Sequence, residues 1–189
     1  MPKATPLIYQ LKFTLRDSKP PIWRRVVACS DFTFADLHDL IQLAMGWMNS
    51  HLHEFRKGQN IVIGDPDLDE GFGQEILDES KIRLDSILKQ EKQKILYMYD
   101  FGDGWEHDIL LEKILPYNAQ TPLPHCVKGK RACPPEDVGG VWGYEDFLEA
   151  IGDSWHPDHA DMLDWIEGHF DPDAFDLDET NRLLRKHWR

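Results

Sequence analysis

Three scarcities narrow what this sequence can be. The chain has only three cysteines, Cys29, Cys126 and Cys133, an odd number without the close pairs that zinc or disulfide frameworks use. That argues against a disulfide-dense scaffold and points to reduced thiols in the cytoplasm. No apolar run approaches the ~20 residues needed to cross a bilayer, and no signal-peptide order or lipidation signal is found. Positive charge is also short, with 21 Lys and Arg against 34 Asp and Glu, for a net charge of −13. A broad grip on nucleic acid or an anionic membrane would need the opposite sign. There are no internal repeats, and 41% hydrophobic with 29% charged residues is ordinary globular usage. A chain of 189 residues then reads as a single domain, residues 1–189, able to bury a core.

What basic charge there is gathers early, at Arg16, Lys19, Arg24 and Arg25, while the acidic excess grows towards the C-terminus. Any anion site or nucleic-acid contact is therefore expected on the first hairpin. Leu7, Tyr9, Leu11, Phe13 and Leu15 alternate with polar neighbours, the period of a strand with one buried face. A Pro-containing turn leads to a second strand at 22–27. Thr33 and Asp36 have capping-box spacing before a helix through Phe34, Leu37, Ile41, Ala44 and Met45, which Gly46 would end. Short strands are expected at 51–56, 60–63 and 81–84, with an exposed loop at 64–74 between the last two. A hairpin of 95–101 and 105–115 follows, turned by Gly102-Asp103-Gly104. Residues 116–143 read as a turn-rich loop and 144–189 as helical, the last helix opened by Asp176 and Glu179. The expected architecture is α+β, with an antiparallel or mixed sheet of about five to six strands. It opens like a β-grasp or α/β roll, and its helices cluster in the C-terminal third.

Several residues carry candidate chemistry. His51 and His53 alternate around Leu52, so both imidazoles would leave one strand face and could share a metal, given a third ligand. Asp100, Asp103, Glu106 and His107 crowd one hairpin tip, where they would serve as acid and base or as ligands for a hard cation. The plainer reading is structural: the aspartates accept turn amides and Trp105 buries its ring. His125, Cys126 and Cys133 lack zinc spacing. The glycine pair Gly139-Gly140 precedes a helix, but Glu136 and Asp137 beside it would repel phosphate. Seven tryptophans are expected mostly in the core.

Taken together, these motifs resemble one family. The run Lys19-Pro20-Pro21-Ile22-Trp23-Arg24-Arg25, the Ser50-His51-Leu52-His53-Glu54-Phe55 strand, Tyr99-Asp100-Phe101-Gly102-Asp103-Gly104-Trp105-Glu106-His107, and Gly129-Lys130-Arg131-Ala132-Cys133-Pro134-Pro135-Glu136-Asp137 are similar to the plasmid pRiA4b ORF-3-like family. Transposon passenger proteins labelled TnpR belong to the same group. Val138 departs from the cysteine expected there in many members. The resemblance implies one α+β domain found in bacteria and archaea, often near mobile elements, and carries no catalytic residues over. A resolvase role would need an activated serine among arginines and a basic DNA-binding module, which an acidic C-terminal third does not supply.

The reading favoured by the sequence is a cytoplasmic, non-enzymatic accessory or binding module without a cofactor. It would present Asp103, Trp105, Glu106, His107, Arg131, Glu136, Asp137 and Trp142 to a protein or small ligand. The rival is a metal-dependent hydrolase-like enzyme using His51, His53, Asp100, Asp103, Glu106 and His107. A third reading is nucleic-acid contact through the first hairpin.

Overall fold

The computed structural model describes residues 5–68 and 75–189. The strands are β1 (Ile8–Leu15), β2 (Trp23–Cys29), β3 (His53–Lys57), β4 (Ile61–Gly64), β5 (Ile76–Asp78), β6 (Lys94–Tyr99), β7 (Trp105–Leu115) and β8 (His125–Lys130). The helices are α1 (Phe34–Met45), α2 (Leu84–Ile87), α3 (Gly140–Gly152), α4 (His159–Trp165) and α5 (Leu177–His187). One mixed sheet holds all eight strands in the order β5-β4-β3-β6-β7-β1-β2-β8, antiparallel throughout except for the parallel pair β4 and β5.

The sheet is thus larger than the five to six strands expected, and two of the additional strands explain why. β8 lies inside what reads as the turn-rich loop, and β5 has three residues, too few for a period to show. The strand expected at 81–84 is instead a single Thr33–Arg83 bridge leading into α2. Three helices, α3, α4 and α5, fall in the last third of the chain, α1 stands where the sequence places a helix, and the short α2 also precedes the central hairpin. The part of the expected 64–74 loop from 69 to 74 lies outside the described residues.

Alternation decides the layering. From Tyr9 to Leu15 of β1 and from Trp105 to Leu111 of β7 every second side chain is buried, so one sheet face meets the helices and the other meets water. Tyr9, Leu11, Phe13 and Leu15 join Phe55, Tyr97, Trp105, Ile109 and Leu111 under Phe34, Leu37, Ile41 and Met45 of α1. The α1 entry is the capping box expected: Thr33 Oγ1 accepts from the Asp36 amide at 3.1 Å, and Asp36 Oδ2 accepts from the Thr33 amide at 2.8 Å. Gly46, at φ 104°, ends the helix in the left-handed region.

The open face carries the ion pairs. Arg16 binds Glu106 and Asp108 at 2.6 and 2.7 Å, and Arg25 clasps both oxygens of Glu112. Arg24 points the other way, into the protein, with 1% of its surface exposed. Its Nε donates to the Ala44 carbonyl at the end of α1, and Nη1 donates to the carbonyls of Trp23 and Lys130. Its guanidinium lies 4.1 Å from the Phe175 ring centre, an approach that needs the bare Gly129 between them. The basic surface expected on the first hairpin is therefore largely absent, because two arginines are neutralised and the third is interior. At the sheet's end, the Asn181 amide of α5 accepts from Cys126 N–H and donates to Cys126 C=O, at 2.8 and 2.9 Å.

Candidate functional site

The β6–β7 hairpin tip and the 131–144 segment, far apart in sequence, are built into one structure. Asp100 adopts φ 57° and turns its Oδ1 onto the amides of Gly102 and Asp103, which fixes the tip. Asp103 Oδ2 then accepts from Gly139 N–H at 3.1 Å, placing a carboxylate at the N-terminus of α3 where the helix dipole favours it. Gly140 packs so tightly over the tip that an added Cβ would stand 2.4 Å from the Asp103 carbonyl oxygen, at φ 71°. Gly140→Ala is expected to cost about 2–4 kcal/mol, through the clash and the left-handed backbone together, read as a lowered urea midpoint.

A second set of contacts locks the preceding turn. Trp47 Nε1 donates to the Pro134 carbonyl at 3.0 Å, and Glu136 Oε1 accepts from the Tyr99 hydroxyl at 2.5 Å. Burial and the adjacent Glu136 carboxylate push the Tyr99 hydroxyl well above its ordinary pKa, so it stays a donor. Asp137, the next residue, is thereby delivered to His51: its Oδ1 lies 3.2 Å from His51 Nε2, while Asp100 Oδ2 lies 3.7 Å from His51 Nδ1. Among the described residues, this is the one group of three His, Cys, Asp or Glu side chains close enough to share a metal ion.

The other expected metal candidates go elsewhere. His53 stacks on His38 at 3.4 Å between ring centres and bonds Glu79 at 2.7 Å. Glu106 faces the open side with Arg16. His107 and Trp105 are fully buried, and Arg131 is nearly so, bonded to the Pro172 carbonyl, so these three cannot contribute to a binding surface. Of the surface candidates, Asp103, Glu136, Asp137 and Trp142 do lie along the junction, with Trp142 79% exposed. The tryptophans divide against the expectation: Trp47 and Trp105 are core, whereas Trp142, Trp155 and Trp165 are exposed.

Sequence reasoning missed a buried polar network beside this junction. His38 bonds the Tyr97 hydroxyl and Asn49 Oδ1, both at 2.8 Å, and Gln42 Nε2 reaches the same hydroxyl at 3.0 Å. The signal was available, because His38 and Gln42 interrupt the apolar stripe of α1. Burial, helped by the neighbouring His53, pushes the His38 imidazole down to about 4. Burial likewise takes His107 down to about 3.

A groove of about 440 Å³ runs past the junction, lined by Asp17, Lys19, Asp103, Gly104, Val141, Trp142 and Glu145. The family model for plasmid pRiA4b ORF-3-like proteins matches residues 7–179. The chain belongs to this family. The uncharacterized protein y4hQ of Sinorhizobium fredii is 40% identical over 179 residues, covering 94% of this chain and 90% of that one. The fold is also that of a crystal structure of the protein of unknown function MM3350 from Methanosarcina mazei Go1. That chain is 39% identical with a TM-score of 0.80, and the match covers 93% of this chain and 98% of the other. Membership of the pRiA4b ORF-3-like family brings no assigned activity with it, so the site is read from its own chemistry. No helix among the described residues is long and apolar enough to cross a membrane.

Proposed function

We propose that this chain is a non-enzymatic accessory module of the cytoplasm that binds a basic protein segment in the groove beside the hairpin tip. The observation that carries it is Trp142, 79% exposed on the first turn of α3, beside a lining that includes Asp17, Asp103 and Glu145. An exposed indole face attracts an arginine or lysine head, at about 0.5–2 kcal/mol, and nearby carboxylates add Coulomb attraction. Lys19 is the single basic residue of the lining, and the net charge of −13 draws cationic partners from a distance. Three free thiols accord with a reducing compartment.

Calorimetric titration of the full chain with a hexa-arginine peptide tests this. Binding should weaken with salt, hexa-glutamate should give no heat, and Trp142→Ala should lower affinity about five- to tenfold. Glu145→Gln should lower it less. Arginine-peptide binding that is indifferent to both substitutions would place the contact elsewhere and overturn the proposal.

A further inference from the structure

The junction holds a second arrangement that the groove does not use. We propose that His51, Asp100 and Asp137 form a binding site for a divalent first-row transition ion of the Mn²⁺, Fe²⁺ or Zn²⁺ class. One donor atom from each residue lies within 4.8 Å of the other two. Ligands bonded to one ion at ~2.0–2.2 Å stand about 3–4 Å from each other, so a small inward swing of the exposed Asp137 side chain closes the set.

The donors are free to bind. Asp100 divides its work, giving Oδ1 to the Gly102 and Asp103 amides and leaving Oδ2 on the side of His51. His51 Nε2 is shielded from solvent and has no hydrogen-bond partner among the described residues, although a carboxylate oxygen lies 3.2 Å away. An unpaired buried ring nitrogen is costly, and a metal bond is one way to satisfy it. The third donor is held ready because Glu136, immediately before Asp137, takes both the Tyr99 hydroxyl and the Met48 amide.

The donor set selects the ion. Two carboxylates bring two negative charges, which a divalent cation neutralises. The imidazole favours a borderline transition ion over Mg²⁺ or Ca²⁺, which prefer all-oxygen shells. Three protein ligands leave positions open, and they face a cleft of about 510 Å³ lined by Asn49, Ser50, Leu52, Phe101 and Gly102. A three-ligand site open to a cleft keeps room for water or an exogenous donor.

The test uses the full chain after chelator treatment and dialysis, titrated calorimetrically with ZnCl₂, MnCl₂ and MgCl₂, with metal content checked by elemental analysis. One Zn²⁺ or Mn²⁺ should bind per chain, with Mg²⁺ at least ~10-fold weaker. Asp137→Asn and His51→Gln should each weaken binding ~10-fold or more. Asn tolerates the left-handed backbone at position 137, where φ is 61°, and the Asp137 side chain makes no hydrogen bond to the rest of the fold among the described residues. The metal-free melting curve of Asp137→Asn should therefore match that of the parent. Absence of Zn²⁺ and Mn²⁺ binding tighter than about 100 µM would overturn the site. So would one-to-one binding that survives both substitutions. Trp142 takes no part in this site, so the two proposals stand or fall separately.

Discussion

Lowering the pH from 7 to 4 should remove roughly 3 kcal/mol of stability through His38 and a similar amount through His107, a combined loss comparable with the whole stability of many domains. Both imidazoles sit in the folded chain with pKa values depressed by burial, to about 4 and about 3, from an ordinary value near 6.5. The unfolded chain takes up protons as the pH falls through ~6.5 while the folded chain does not, so acid favours unfolding. The contribution is fully present above ~6.5 and declines across the interval down to each folded value. His107 has the less adaptable surroundings. Its Nδ1 lies 3.2 Å from the Trp105 carbonyl, so that nitrogen carries the hydrogen, and Nε2 is buried without a partner among the described residues. Trp47 and Tyr97 close around the ring. Urea midpoints measured from pH 7.5 to pH 4 should fall steadily for the parent chain and about half as steeply for His107→Leu. Parallel profiles for the two proteins would show that His107 does not carry its share.

Replacing Arg24 by alanine should cost about 4 kcal/mol, because the guanidinium is a structural donor inside the protein rather than a surface charge. Its loss would leave the carbonyls of Ala44, Trp23 and Lys130 without these donors and would open a void against Phe175. It would also remove a cation from the C-terminal end of α1, where the helix dipole favours one. Burial pulls the Arg24 pKa below the usual guanidinium value, yet an arginine retains its proton at any ordinary pH. Arg24→Met separates the two contributions, since it restores much of the volume without the donors, and should cost about 2 kcal/mol. Chemical denaturation of both variants checks this. A loss below about 1 kcal/mol for Arg24→Ala would mean that water replaces the guanidinium at all three carbonyls.

Arg24 also shows how far the sequence could be read. Ile22, Arg24, Val26 and Ala28 share one face of the strand, so period-two alternation already assigned Arg24 to the interior. Grouping it by charge with Arg16 and Arg25 hid that. The strands with one buried face, β1 and β7, declared themselves because alternation sustained from Tyr9 to Leu15 and from Trp105 to Leu111 is hard to produce by accident. β8 did not, because Lys128, Gly129 and Lys130 occupy positions where an interior strand would show branched apolar residues. The hairpin tip and the 131–144 segment were both singled out, but their union was not legible. It depends on Trp47, Pro134, Tyr99 and Glu136 meeting across the fold, and no local pattern encodes a contact between elements so far apart. For the same reason His51 was paired in expectation with its neighbour His53, whereas its nearest acidic partners come from two other segments.

The Asn181 amide on β8 has a consequence for association. A side-chain amide offers the same donor and acceptor as a peptide group, and here both engage Cys126 as an adjoining strand would. Asn181 thus acts as a one-residue stopper at the margin of the sheet. A strand arriving from another polypeptide would find the Cys126 donor and acceptor already engaged and would have to displace α5 before it could zip on at that point. Such plugging is a defence against runaway cross-β growth, and it places the protection in a helix rather than in the strand it protects.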